Sequence, residues 1–421
     1  MKFLAVTGLL LLAILPIHGQ DAFEWDIDTI FDEPLPQVPA EEQTGTDSTV
    51  LHLIRQRGLI FDLGFEFNAG LGPGWRQRPW DSDWDPNEYF VNRYIKLRNS
   101  LTLDARISDS FRVISTVNFE IPNVRFILGD FFFDYMIQEA VFLRGGKYEH
   151  SWGFSPNYGF TNLLARVPRD RNAGEAFAFK ADIPISNGSF QVLTLTRADL
   201  GDVPGIRDFG FGIKYNFALR PGDFDAGIFY QYGMALRSFF SARATLGSTE
   251  LYNEYLLAVD VTNPSNTSGA LNIGFGHSFF NSRFRVNGEL LYNAEKDTYW
   301  YHPETSIREA GISPFIEGLN FALNMQYRLW ERWNPRIALS TLYAPVQHSI
   351  QLIPGIRLSP GSHVDISLAV PMALGRKNGY YYEHTFIRAT VRENGSLTDS
   401  LPFAVVFLVT LRGSVSAAVF N

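Results

Sequence analysis

Cysteine is absent from this 421-residue chain, which excludes a lipid-anchored N-terminus of the lipoprotein type, a disulfide framework and any thiolate metal site. Apolar runs long enough to form a spanning helix, about 18 residues, are also missing. The longest, Phe3 to Leu15, has 13 residues, and the greasiest later stretch, Leu401 to Leu411, contains Pro402 and is strand-length. A basic excess is lacking too: 36 Lys+Arg stand against 44 Asp+Glu, which argues against the positive field that nucleic-acid binding needs. No glycine-rich phosphate loop and no His/Asp/Glu spacing of a metal site occurs, so no cofactor is expected. His150, His302, His348 and His384 are scattered and define no acid-base or nucleophile-base pair, so no enzyme is expected.

Lys2, the apolar run behind it and the stretch Pro16-Ile17-His18-Gly19-Gln20 have the order of a cleavable secretory leader, residues 1–20. Residues 21–57 are acidic and proline-containing and are expected to be a flexible periplasmic segment. Nine acids and one base fall in residues 1–50, so the remainder carries 35 charges of each sign. Trp25, Ile27, Ile30 and Phe31 among carboxylates make residues 21–50 a docking candidate for a basic periplasmic partner, against the plainer reading of a solvated leader.

From residue 58 the dominant signal is a period of two. Phe209, Phe211, Ile213, Tyr215, Phe217 and Leu219 alternate with Gly210, Gly212, Lys214, Asn216 and Ala218. Successive strand side chains point to opposite faces, so one face is aromatic and the other polar. Leu59 to Phe67, Phe284 to Tyr292 and Leu319 to Tyr327 repeat the pattern. Segments of about ten residues of this kind are the mark of a transmembrane β-barrel. A soluble β-sandwich also alternates, but with shorter strands and rarely over some 370 residues without a change of pattern. Aromatic content of 15% suits an outer apolar band with interfacial girdles.

Short turn formers (Ser108-Asp109-Ser110, Arg144-Gly145-Gly146, Ser186-Asn187-Gly188, Arg220-Pro221-Gly222-Asp223 and their successors) alternate with longer loops at 71–90, 123–130, 153–173, 199–206, 262–269, 296–316 and 374–400. The expectation is an all-β chain: a single closed antiparallel transmembrane β-barrel of about 18 strands (16–20) over 58–421, with short periplasmic turns and long extracellular loops. Strands are placed at 131–143 and 146–152 around the Arg144-Gly145-Gly146 turn. The implied location is the outer membrane of a diderm bacterium.

If the aromatic face meets lipid, the lumen is lined by Asp62, Glu66, Lys96, Arg98, Asp104, Lys180, Asp182, Lys214, Arg285, Glu289 and Arg328, along with Arg106, Asp225 and Arg357. Charge at membrane depth implies water beside it or opposite charges paired across strands, as Lys180 and Asp182 would be. About 18 strands enclose room for an aqueous channel. The segment from Gly145 to Gly174 mixes Trp152, Phe154, Tyr158 and Phe160 with three arginines. Its Gly146, Lys147, Trp152 and Gly153 resemble the general bacterial porins, in which a Gly-Lys or Gly-Arg strand ends in a Trp-Gly step before a loop folded inside the barrel. The close match covers about thirty residues. By that resemblance Glu149, His150, Trp152, Arg166, Arg169, Asp170 and Arg171 form the pore constriction, and the arginines favour anions. As an ordinary exposed loop, the same arginines would face headgroups or sugars.

The resulting function is a porin-like channel for passive diffusion of small hydrophilic solutes, with a mild anion preference. Two alternatives stand beside it. A transporter of hydrophobic molecules resembling the fatty-acid barrels would need a plug and a greasy internal site, although the Asn-Pro-Ala motif of that family is absent. A surface adhesin would bind through loops 71–90, 296–316 and 374–400, whose Trp75, Trp80, Trp84 and Trp300 serve equally as interfacial anchors. Outer-membrane barrels resemble one another in ending on an aromatic residue read by the insertion machinery; here Phe420 precedes one further residue, Asn421. The partners expected are outer-membrane lipid, that machinery and small solutes, with a homo-trimer left open.

Overall fold

The computed structural model describes residues 58–420 except 76, 122–123, 139, 150–151, 156–174, 197–205, 207–208, 221, 232–234, 266, 295–299, 302–307, 310–317, 377–387, 392–396 and 401. The leader and residues 21–57 lie outside the described residues.

In chain order the strands are β1 Gly58–Trp75, β2 Tyr89–Ser108, β3 Phe111–Ile121, β4 Arg125–Ile137, β5 Val141–Glu149, β6 Glu175–Ile185, β7 Gly188–Thr196, β8 Phe209–Leu219, β9 Gly222–Gln231 and β10 Leu236–Leu246. Then follow β11 Thr249–Val259, β12 Thr267–Phe279, β13 Phe284–Asn293, β14 Trp300–Tyr301, β15 Arg308–Glu309, β16 Gly318–Arg328, β17 Arg336–Ala344 and β18 Ser349–Gly361. The chain ends with β19 Val364–Ala369, β20 Met372–Gly375, β21 Arg388–Val391, β22 Leu397–Ser400, β23 Phe403–Ala404 and β24 Val406–Phe420. The pairs β14–β15 and β21–β22 are small hairpins outside the main sheet. The segments β19 and β20, interrupted at Val370-Pro371, form one wall strand, and β23 and β24, interrupted at Val405, form another. The main sheet is therefore an antiparallel barrel of 18 strands, each hydrogen-bonded to its sequence neighbour.

Closure is made by β1 against β24, in register from Gly58↔Phe420 to Leu71↔Phe407. Loop residue Arg78 ties across the same seam: its Nη1 donates to the Gly375 carbonyl at 2.6 Å while its guanidinium pairs with Asp81 at 2.8 Å. Trp75 and Trp80 both pack on Phe403, at 5.2 and 6.4 Å between ring centroids. These contacts place the first-loop tryptophans on the rim. Because β24 runs to Phe420, deleting residues 412–421 removes half of the closing ladder, including the Arg412–Glu66 ion pair at 3.1 Å. The truncated chain is expected to lose heat-modifiability in outer membranes, since an unclosed edge leaves backbone groups unsatisfied in lipid. Retention of the heat-dependent gel shift would overturn that expectation.

Burial follows the period of two, with the sign of a soluble protein reversed. Leu63, Phe65, Phe211, Ile213 and Ile273 are exposed on the outer face, while Asn68, Asp104, Asp225, Glu254 and Asn272 are buried within. Only a hydrocarbon surround makes this arrangement favourable. Outward rings gather near the short turns: Phe190–Tyr215 at 4.6 Å, Phe217–Phe224 at 5.0 Å and Phe279–Phe284 at 5.6 Å cross from strand to strand. They form the girdle expected at a membrane interface.

The structure corrects the sequence parse in one region. Arg144-Gly145-Gly146 is not a turn but the middle of β5, and the reversal lies at 138–140. Both glycines are required by packing. A Cβ on Gly145 would lie 2.7 Å from the Phe133 ring, and one on Gly146, whose φ is +138°, would collide with the Phe131 carbonyl. Residues 125–130, placed in a loop by the sequence, continue β4 through a bulge near Gly129 and Asp130. Beside that bulge the Lys147 ammonium donates to the Leu128 carbonyl.

Candidate pore lining and constriction

Each of Asp62, Glu66, Lys96, Arg98, Asp104, Lys180, Asp182, Lys214, Arg285, Glu289 and Arg328 lies on the inward face of its strand. Each alternates with outward residues such as Phe61, Leu101, Phe179, Ile213, Leu290 and Tyr327. Most of these charges are compensated by opposite charges along the same strand or across to the next. Asp104 meets Arg106 at 3.1 Å and Arg112 at 2.7 Å, and Glu120 meets Lys96 at 3.1 Å and Arg98 at 2.8 Å. Asp134 meets Arg144 at 2.6 Å, Asp182 meets Lys180 at 2.7 Å and Asp225 meets Lys214 at 3.2 Å. The Lys180–Asp182 pair is present, but it runs along β6 rather than across two strands.

The wall from β13 to β18 differs. Arg328 stands directly opposite Arg336, and Arg336 directly opposite Arg357. Arg285 and Arg328 act electrostatically on one another, and both act on Arg336. Arg357 is neutralised by Asp365 at 2.7 Å. Among the described residues, Arg285, Arg328 and Arg336 have no carboxylate within salt-bridge distance, and the Nε atoms of Arg285 and Arg328 have no hydrogen-bond partner. Arg336 is braced by the Asn334 side-chain oxygen, which accepts from Nε at 3.1 Å and Nη2 at 2.8 Å. Like charges facing each other across a ladder are destabilising unless water or counter-ions are at hand. The cluster sits at the short-turn end, where β16 ends and β17 begins. Sequence reading placed Arg285, Arg328 and Arg357 inside but missed Arg336, which opens β17 immediately after a turn.

The chain enters the barrel just past the end of β5. Trp152 is 2% exposed and packs inside on Phe239 at 5.3 Å and Phe229 at 6.4 Å. Its indole N–H donates to Gln191 Oε1 at 2.7 Å, and Gln191 in turn donates to Asp182 at 2.8 Å. The ring fills space left by Gly212, where a Cβ would come within 2.7 Å of it. The Phe154 and Ser155 N–H groups both donate to Glu254 Oε1, at 2.9 Å for Ser155. The Ser155 hydroxyl donates to Glu289 Oε2 at 2.7 Å and accepts from Asn272 Nδ2 at 2.9 Å. Tyr252 donates its hydroxyl proton to Glu289 Oε1 at 2.9 Å. Arg243 lies 4.7 Å over the Phe154 ring.

Residues 152–155 therefore leave the wall and cross to strands β11, β12 and β13 inside the lumen. The inner wall near the long-loop ends of β7 to β13 is correspondingly apolar, with Leu193, Leu195, Phe229, Phe239, Leu256 and Leu291 forming one buried cluster with Trp152. Of the residues expected at a constriction, Trp152 is inside the barrel. The side chain of Glu149 and all of His150, Arg166, Arg169, Asp170 and Arg171 lie outside the described residues. Glu254, Asn272 and Tyr252 were missed as site residues. Their inward parity is readable in Thr249–Val259 and Thr267–Phe279, but their contact with residues 154 and 155 is not.

No family model and no curated protein matches this sequence. Solved structures do. The chain is similar to Pseudomonas aeruginosa OccK3 (OpdO), at 10% identity with a TM-score of 0.54, covering 86% of this chain and 96% of that one. It is also similar to Pseudomonas aeruginosa OccD3 (OpdP), at 10% identity, TM-score 0.52, 86% and 93% coverage. Acinetobacter baumannii OccAB4 matches at 9% identity, TM-score 0.52, with 86% and 100% coverage. These neighbours are outer-membrane porins, and the likeness shows that this chain has the porin-type barrel fold.

Proposed function

We propose that this porin-type barrel is a channel in the outer membrane of a diderm bacterium, passing small hydrophilic solutes by passive diffusion and favouring anions. The observation that carries the reading is the group Arg285, Arg328 and Arg336, cations without carboxylate partners on a lumen wall that is otherwise largely charge-paired. Fixed positive charge along an aqueous path raises the local concentration of anions and lowers that of cations. The inward residues 152–155 support a narrowed passage. Delivery by the leader 1–20, recognition of the Phe420 end by the insertion machinery and a periplasmic partner for 21–50 belong to the same proposal.

The apolar interior cluster is the feature a carrier of hydrophobic molecules would need, but Trp152 of the chain itself is packed into it. It serves as the seat of the inward segment. Planar-bilayer recording on refolded residues 21–421 under a salt gradient tests the proposal. Steady ohmic openings with a reversal potential on the anion side are expected. A folded but silent barrel would sink the channel reading and favour hydrophobic transport or adhesion.

A further inference from the structure

Arg285, Arg328 and Arg336 gather positive charge at the short-turn mouth, and the carboxylates described beside them are committed elsewhere. Asp365 is shared by Arg357 at 2.7 Å and Arg412 at 3.6 Å, and Glu331 on the adjoining turn pairs with Arg283 at 3.8 Å. All three cluster arginines are half-buried, which leaves part of each open to the lumen. Arg285 stands opposite Gln326 and Arg336 opposite Arg328, so amide and guanidinium donors lie side by side.

The chain carries the complement ahead of β1. Residues 21–54 hold nine acids and no Lys or Arg, with six of the acids within residues 21–33. This stretch lies outside the described residues, but the point where it joins the barrel does not. Gly58 opens β1 beside Arg106 and Phe420, at the same short-turn end as the arginines. Round the wall from β1 the order is β24, β19, β18, β17, β16 and β13. The cluster is therefore four to six strands away, about 20–30 Å at about 4.8 Å per strand. Glu33 is 25 residues before Gly58, and a flexible chain of that length spans about 25–30 Å. A tether whose span matches the gap holds its acids at an effective concentration on the order of millimolar. Single exposed ion pairs are weak, so the contact is favoured by matched length together with several charges on each side.

We propose that residues 21–50 dock on the Arg285, Arg328 and Arg336 cluster of their own chain, their carboxylates acting as tethered counter-ions. Elsewhere round the mouth the inward basic residues Arg106, Arg112, Arg144 and Lys214 are already held by Asp104, Asp134 and Asp225. The docking stands without the channel reading, and only its consequence rests on it. An anion in transit must displace the segment, so the whole chain prefers anions less strongly than the bare cluster does.

Cysteine is absent, so two introduced thiols are the sole pair in the chain. In refolded residues 21–421, I27C would be combined with Q326C, opposite Arg285, or with T102C on β2 as a control. Thr102 lies on the lumen side one strand from β1, nearer the root of the tether, so collision by reach alone favours it. Under brief mild oxidation I27C/Q326C should lose both thiols at unchanged monomer mass, about fivefold or more faster than I27C/T102C. Replacing Asp26, Asp28, Asp32 and Glu33 by their amides should bring that rate down to the control. Salt at about 1 M, where the screening length is about 3 Å, should do the same. Equal rates for the two pairs, or a rate untouched by the amides and by salt, overturn the proposal. A product of doubled mass places the segment on a second copy and overturns it too. In a salt gradient, residues 51–421 should show an anion-to-cation permeability ratio about twofold above that of residues 21–421. An unchanged ratio overturns the tethered counter-ion. Disulfide formation needs no conductance, so a barrel that traps the disulfide but stays silent refutes the channel reading alone.

Discussion

Replacing Arg285, Arg328 and Arg336 together by glutamine is expected to abolish the anion preference of the open channel. Three unit charges at about 6 Å in a water-like medium attract a monovalent anion by about 2 kcal/mol in sum, and screening at 0.1 M salt leaves about half. That corresponds to roughly fivefold local enrichment of anions, with a matching depletion of cations. In a tenfold salt gradient, the reversal potential of the triple variant should move to near zero from the anion side. Arg357 provides the control, because Asp365 at 2.7 Å already neutralises it. R357Q leaves Asp365 with only Arg412, 3.6 Å away, and should shift selectivity by about one charge rather than three. A triple variant with the parental reversal potential would show that selectivity is set elsewhere, with Arg166, Arg169 and Arg171 as the next residues to substitute.

What the sequence made legible was whatever depends on local alternation. The barrel, its strand number and the inward face of each lumen charge follow from the period of two, because one residue's shift would turn every Phe and Leu of a strand away from lipid. Phe209 to Leu219 is an unambiguous case. Gly145 and Gly146 are the opposite case. A pair of glycines reads locally as a turn, and what holds them in the middle of a strand is the close approach of Phe133, Phe179 and the Phe131 backbone from the neighbouring strands. The arginine cluster was only partly visible for a related reason. That Arg328, Arg336 and Arg357 stand in one row depends on the register of three strands. That register is set by turns whose geometry the residue types leave open.

The inward segment shows the same limit more sharply, because its contacts join residues about 100 and 134 positions apart, Ser155 with Glu254 and Glu289. They also yield the second large expectation. Glu254 accepts two backbone N–H groups and Glu289 accepts from Ser155, Tyr252 and Asn272. Hydrogen bonds to charged groups contribute about 1.5–3 kcal/mol each, and a buried tryptophan cut to alanine costs about 3–5 kcal/mol. Removing the carboxylates in E254A/E289A, together with W152A, therefore takes away more free energy than a short crossing segment has other means to supply. The strand ladder is untouched by these substitutions, so the barrel should still fold and remain heat-modifiable. With the segment released from β11 to β13, single-channel conductance is expected to rise roughly twofold or more, the wall being wide enough for an aqueous passage once nothing crosses it. Open-channel noise should increase in E254A alone, where Trp152 still holds one end. Conductance and noise equal to the parent in the triple variant would mean that residues 152–155 do not narrow the path, and that solutes pass along the opposite, charge-paired wall from β1 to β5.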